Sequence, residues 1–338
     1  MFLKELKNKE YRRKKRLGKS LCVTLLSAVM ITTLCGCNKT TPVTENSENP
    51  PTVVGENSFP TYTEEVKVVI PGMEEEVKLI YFSDLHIVTD SAEVLETEKE
   101  NVNGRILWSS AANGVSSAEQ WGEWPEILNR SGADYLLFGG DMVDFASDTN
   151  IEVMKEGFDR LTIPYLYIRA DHDYLPTYLN GISEYDGKDR QAAVCSYKDV
   201  ESVEYEDFIV VGWNNSTSNL TEEGLAEIQR LAEKNKPMIL LTHVPIEPLN
   251  DTSLEEASRA IFQDRSLIWG YSERAYYKPN TPTSALLNMI YAEDSPFVEV
   301  LAGHLHLTWD GMITEHVHQH VFSNAFNGYY GIVTVQGE

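Results

Sequence analysis

Thiols are scarce in this chain, and positive charge is scarce wherever a fold could lie. Of 4 cysteines in 338 residues, Cys195 stands alone beyond residue 37, so an internal disulfide framework is excluded. Cys195 itself reads as a small buried apolar residue. Lys and Arg number 28 against 52 Asp and Glu, a formal net charge of -24. Affinity for DNA or RNA comes from neutralising phosphates, so no nucleic-acid-binding surface is expected. A membrane-spanning run is missing too. The uncharged stretch Leu21–Leu34 has 14 residues, short of the roughly 20 that a spanning helix needs. What is present is 42% hydrophobic and 10% aromatic residues, enough for a full-sized core and incompatible with a disordered chain.

The few cations are concentrated at the start. Residues 1–36 carry nine of them and two acids, leaving a net charge of -31 for the remainder. A basic block, a short apolar run and then small residues form the layout of a secretory signal. Its end, Leu34-Cys35-Gly36-Cys37, resembles the lipobox of bacterial lipoproteins. That resemblance implies cleavage after residue 36 and lipidation of Cys37, anchoring the chain to the membrane from its extracytoplasmic face; an uncleaved signal anchor is the alternative. Residues 37–62, rich in Thr, Asn, Glu and Pro, read as the lipid-bearing Cys and a flexible tether spanning roughly 25–30 Å. Residues 63–338 read as one domain.

Within that domain strands alternate with helices, which predicts a layered α/β fold. Val/Ile-rich runs over 65–70 and 77–82 flank Pro71-Gly72 and predict a hairpin. A helix is expected over Ala118–Arg130, with Ser116 or Ser117 as its N-cap, Gly132 beyond its end and Pro125 disturbing its first half. Others are expected over Ile151–Leu161 and over Glu222–Lys234 after Thr221. Strands are expected at 135–138, 165–168, 208–211, 238–241 and 297–301, with three more runs after Leu305.

The chemistry lies just past five of the apolar runs. They lead to Asp84 and His86, to Asp141 and Asp144, to Asp171, His172 and Asp173, to His243, and to His304 and His306. Ligands of α/β sheets bind beyond the carboxyl ends of the strands. Asp and His without thiolate suit Mn, Fe, Zn or Ni. A single such cluster is an ordinary polar strand end; five in order point to a metal centre.

The order Asp84-Leu85-His86, Gly140-Asp141-Met142-Val143-Asp144, Asp171-His172-Asp173, Thr242-His243 and Gly303-His304-Leu305-His306 resembles that of the calcineurin-like metallophosphoesterases, over Val77 to about His306. The resemblance implies a four-layer α-β-β-α sandwich, two mixed sheets flanked by helices, with two divalent metals at their shared edge. It assigns Asp84, His86 and His306 to one metal, Asp171, His243 and His304 to the other, and Asp141 to a bridge between them. His172 would serve the leaving group as proton donor, or contact the phosphate. Asp144 and Asp173 would orient histidines. The implied reaction is hydrolysis of a phosphomonoester or phosphodiester by a water that the metals acidify.

One position departs from the family pattern. Where Gly-Asn usually precedes the His, this chain has Ala170-Asp171. Three carboxylates then face four metal charges instead of two. Tighter metal binding, a higher pH optimum or loss of turnover would follow. The last of these keeps open a second reading, a non-catalytic binding lipoprotein with the same fold. A solute-binding lipoprotein of unrelated fold would not explain the strand ends.

Three other groups of residues have plainer readings. His316, His318 and His320 alternate, as on one face of a strand, and suit a solvated or sheet-packed face better than a third metal site. Trp108, Trp121 and Trp124 suit a core better than a substrate wall. Asn214, Asn215 and Ser216 suit a turn, though they follow a strand and could line the cleft. Substrate shape is expected to depend on the segments 87–133 and 247–296, which name no ligand.

Overall fold

The computed structural model describes residues 57–263 and 265–338. The expected signal sequence, Cys37 and most of the tether lie outside the described residues. Among the described residues no helix is long and apolar enough to cross a membrane.

Thirteen strands are described. They are β1 (Tyr62–Val69), β2 (Val77–Phe82), β3 (Tyr135–Phe138), β4 (Tyr165–Tyr167), β5 (Val200–Glu204), β6 (Ile209–Trp213), β7 (Met238–Leu241), β8 (Ser266–Trp269), β9 (Ala275–Tyr277), β10 (Phe297–Ala302), β11 (Trp309–Met312), β12 (His318–Val321) and β13 (Tyr329–Gln336). One sheet runs β1-β13-β2-β3-β4 and the second β11-β12-β10-β7-β6-β5, with β8 and β9 forming a separate ribbon. Both large sheets are mixed. The inner strands β2–β3–β4 and β6–β7–β10–β12 are parallel, while β13 meets β2, β11 meets β12 and β5 meets β6 antiparallel.

The strand sequences explain this layering. Runs such as Met-Ile-Leu-Leu in β7 and Ile-Val-Val-Gly-Trp in β6 are buried throughout, as strands covered on both faces must be. Leu79, Leu137 and Ile168 from one sheet meet Val210, Ile239 and Leu301 from the other in a shared core. The outer face of the first sheet packs against Trp121, Trp124, Leu128, Met154 and Phe158 on helices. The outer face of the second packs against Ile228 and Leu231 of the helix Glu222–Ala232, and Leu286 and Ile290 of Thr281–Tyr291. The result is the expected four-layer α-β-β-α sandwich.

Three local expectations need correction. The runs around Pro71-Gly72 do not form a hairpin, because β13 inserts between β1 and β2, parallel to the first and antiparallel to the second. The helix expected over Ala118–Arg130 is two pieces, Ser117–Trp121 and Trp124–Asn129. Ser116 does cap the first through a reciprocal box with Glu119, while Pro125 opens the second, where its missing N–H is tolerated. The packed domain also begins before residue 63. Phe59 and Thr61 are buried, and Phe59 packs on Trp124 with ring centroids 5.3 Å apart.

Two of the three alternating histidines, His318 and His320, are packed in the sheet as ion pairs. His318 Nδ1 lies 2.9 Å from both carboxylate oxygens of buried Glu299, its register partner on β10. Asp310 receives both His318 and His320, and His320 also reaches Glu64 on β1 at 3.1 Å, tying the two sheets together. His316 is exposed and outside the strand. Burial opposes charging His318, yet Asp310 and Glu299 lift its pKa to about 10. A raised histidine pKa stabilises fully below the unfolded value of about 6.5, and that contribution drains away as pH rises towards 10. The thermal unfolding temperature should therefore fall between pH 6.5 and 9.5, by about 2–4 °C for each kcal/mol of this contribution that is lost. His318→Gln should flatten that dependence, which differential scanning fluorimetry would read.

Candidate metal centre

The five strand ends converge. Asp84 and His86 follow β2, Asp141 follows β3, Asp171 and His172 follow β4, His243 follows β7, and His304 and His306 follow β10. Main-chain bonds stitch the loops together. Asp84 N–H donates to the Gly140 carbonyl at 3.0 Å, His86 N–H to Asp141 at 2.9 Å and Gly303 N–H to His243 at 3.0 Å. The Asp84 carboxylate crosses between sheets to accept from the His304 N–H at 3.2 Å.

This convergence needs unusual backbone. Asp84, His86, Asp141, His304 and His306 all have φ between 49° and 70°. Left-handed backbone costs a non-glycine residue of order 1–3 kcal/mol and concentrates at functional sites. Gly140, at φ +97°, has no such penalty, and a Cβ there would stand 2.9 Å from that of Ala170 and 3.1 Å from His243 Nδ1. Ala170 itself has an ordinary φ of -109°, so this chain has no conformational need for the family's glycine there.

The side chains form three sets whose ligand atoms lie within 4.8 Å of one another: Asp84, His86 and His306; Asp141, His243 and His304; and His86, Asp144 and His172. Asp84 Oδ1 is 3.2 Å from His306 Nε2. Asp141 Oδ2 stands 3.2 Å from His243 Nε2 and 3.5 Å from His86 Nε2, so it lies between the first two sets. His86 Nε2 faces His306 Nε2 at 3.2 Å, and His304 Nδ1 faces His243 Nε2 at 3.1 Å. Two neutral imidazole nitrogens that close cannot both present lone pairs without a cation or proton between them. Asp84 Oδ1 and Asp141 Oδ1 are buried without a hydrogen-bond partner. Orphan carboxylate oxygens beside opposed imidazoles fit two divalent cations. Asp171 falls outside these three sets. Its Oδ1 is likewise buried and unpartnered, and its charge bears on His172 and His243.

The surrounding bonds fix tautomers and orientation. His243 Nδ1–H donates to the Gly139 carbonyl at 2.8 Å, leaving Nε2 for the centre, and its own N–H is held by Ser216 Oγ. The turn after β6 is thus a support rather than a cleft wall, and Asn214 likewise accepts from the Arg169 N–H at 2.8 Å. Asp144 accepts from His86 Nδ1 at 3.1 Å and from Arg105 Nε at 3.0 Å. Asp173 differs from expectation. Its carboxylate grips the N–H groups of Ala170, Asp141, Met142 and Val143 at 2.7–3.1 Å rather than a histidine, so it shapes the loop that presents Asp141. Burial and the nearby Asp141 push its pKa up to about 7.

Both long insertions contribute residues to the centre; pattern reading does not single out Arg105 or Tyr277 and assigns Trp108 to the core. In 87–133, the helix Lys99–Trp108 brings Arg105 to Asp144 and Trp108 to the rings of His86 and His306, at centroid distances of 5.3 and 5.4 Å. Trp121 and Trp124 are core as expected, but Trp108 is not: it is 42% exposed. In 247–296, β9 carries Tyr277, whose hydroxyl lies 3.3 Å from His304 Nε2. That contact fixes the ring so that Nδ1 faces His243. Tyr277→Phe should weaken metal retention at the second set by about 10–100-fold, measured by competition with a chromogenic chelator.

The model of the calcineurin-like phosphoesterase family matches residues 77–307, from the start of β2 to just past His306. The chain belongs to that family. It is a metal-dependent phosphoric ester hydrolase, and its centre takes two divalent ions. No curated protein matches the chain. Similar solved structures include a dimetal phosphatase from Danio rerio, with 11% identity and a TM-score of 0.42, the match covering 74% of this chain and 88% of that one. A purple acid phosphatase from yellow lupin seeds is 13% identical with a TM-score of 0.41, the match covering 78% of this chain but 44% of that one.

Proposed function

We propose that this phosphoesterase is anchored by a lipid on Cys37 to the outer face of a bacterial membrane and hydrolyses a phosphomonoester or phosphodiester there. The observation that carries the catalytic half is the pair of orphan carboxylate oxygens, on Asp84 and Asp141, set among opposed imidazoles. When bound, two divalent ions supply Lewis acidity to the phosphoryl oxygens and acidify the attacking water.

The chain's own residues divide the remaining work. Asp84, His86 and His306 would hold one ion. His243 and His304, with Asp171 alongside, would hold the other, and Asp141 would serve both. His172 is open to solvent, its side chain 35% exposed against 0% for Asp84 and His243. Its Nδ1–H donates to the Asp144 carbonyl at 2.8 Å, which leaves Nε2 to carry a proton to the departing oxygen. The lipid anchor is supported by the sequence alone, through the basic block, the Leu21–Leu34 run and the Leu34-Cys35-Gly36-Cys37 junction.

The test uses the full chain purified without chelator. Bound metal is determined by elemental analysis, and hydrolysis of p-nitrophenyl phosphate and bis-p-nitrophenyl phosphate is followed with and without added Mn. Near two metals per chain, with turnover lost on chelation, is the expected result, and the preferred ester separates monoesterase from diesterase. No metal under any loading would sink the ligand assignment. For the anchor, labelled fatty acid should enter the chain in cells and be absent from Cys37→Ser.

A further inference from the structure

The family fixes how phosphorus is held but not what the rest of the ester must be. The helix Lys99–Trp108 bears on that question because it ends at the centre. Trp108, its last residue, keeps 42% of its surface exposed although it touches two expected metal ligands.

The ring is also held in place. The Arg105 guanidinium carbon lies 3.9 Å from the ring centroid, and Phe326 packs at 4.7 Å with the planes tilted by 48°. Arg105 is in turn anchored through Nε and Nη2 to the buried Asp144 carboxylate, the same group that orients His86. Because Asp144 already neutralises it, Arg105 is better suited to bracing the ring than to drawing a second anion. His86 has His172 on one flank, with centroids 4.8 Å apart, and Trp108 on another at 5.3 Å. Both rings border His86, so an aromatic leaving group whose oxygen meets His172 has Trp108 within reach.

We propose that Trp108 is a specificity residue, a braced platform on which a planar aromatic leaving group of the phosphate ester stacks. This rests on the phosphoesterase reading of the centre. A phenyl ring and a nucleobase share the required chemistry, since both present a π-face.

Binding of inert analogues tests the proposal without turnover. The metal-loaded full chain would be titrated calorimetrically with phenylphosphonate and methylphosphonate. Wild type should bind the phenyl compound about fivefold to tenfold more tightly. Trp108→Leu should reduce that preference to near unity with metal content unchanged, and Trp108→Tyr should restore it. A nucleoside 5′-phosphonate in the same titration separates the sources. Preference for it over phenylphosphonate that also depends on Trp108 names a nucleobase, and no added gain names a simple aryl group. Equal wild-type affinity for the phenyl and methyl compounds, or equal losses of both in Trp108→Leu, would overturn the platform while leaving the phosphoesterase reading intact. Failure of every analogue to bind metal-loaded wild type would overturn both.

Discussion

Replacing His172 with glutamine is expected to lower kcat by about 10²–10⁴-fold with two metals still bound per chain. The expectation follows from how the ring is placed. His172 belongs to neither of the two sets proposed to hold the ions, and its Nδ1–H is committed to the Asp144 carbonyl. Burial works against its charged form, but Asp141, Asp144 and Asp171 raise its pKa above the ordinary value, which favours a proton on the ring. The loss should depend on the leaving group. A nitrophenolate departs readily without a proton, whereas an alkoxide does not. Glutamine should therefore cost more on an alkyl phosphate than on p-nitrophenyl phosphate, and single-substrate kinetics on both esters reads the difference. An equal loss on the two would instead make His172 a contact to the phosphate.

Most of the centre was legible because each expected ligand comes immediately after a buried apolar run. Parallel inner strands, covered on both faces, leave little room for polar residues until the strand ends. Asp84, Asp141 and His243 thus stand out in the sequence as the first ionisable residues beyond β2, β3 and β7. The insertion of β13 between β1 and β2 was not legible, because a local Pro-Gly turn signals a hairpin and says nothing of a strand more than 250 residues away. The same limit hid Arg105 and Tyr277 and assigned Trp108 to the core. Each acts through one side chain at one point of a long insertion, where no periodicity marks it. Asp173 was placed at the centre correctly but with the wrong partners, since the sequence cannot show whether a carboxylate next to a histidine will turn to imidazole or to backbone N–H groups. The break in the helix expected over Ala118–Arg130 is a milder case: Pro125 foretold a disturbance, but only packing decided that the first piece would stop at Trp121.

The departure at Asp171 yields the other large effect. In Asp171→Asn the acid limb of the kcat/KM profile should move about 1–2 pH units lower, while metal retention weakens by tenfold or more. A unit charge at about 5 Å, at an effective dielectric constant near 20, is worth about 3 kcal/mol, or roughly two pKa units before solvent screening. Asp171 adds that negative charge to a centre already holding Asp84 and Asp141. Burial and then Asp141 raise its own pKa, the mark of a carboxylate in a region short of positive charge. Cations relieve that shortage, so Asp171 should retain them, at the expense of a water that gives up its proton less readily. Asparagine is close to isosteric, and Asp171 Oδ1 has no hydrogen bond to lose, so the substitution changes charge with little change in packing. The two effects have opposite signs for activity and can be separated. Profiles recorded at saturating Mn isolate the shift in the acid limb, and dialysis against chelator isolates retention. A shift in retention alone would mean that Asp171 serves the ion and not the water. If neither moved, its charge would have to be neutralised at the working pH, and the aspartate would act in this centre as the family's asparagine does.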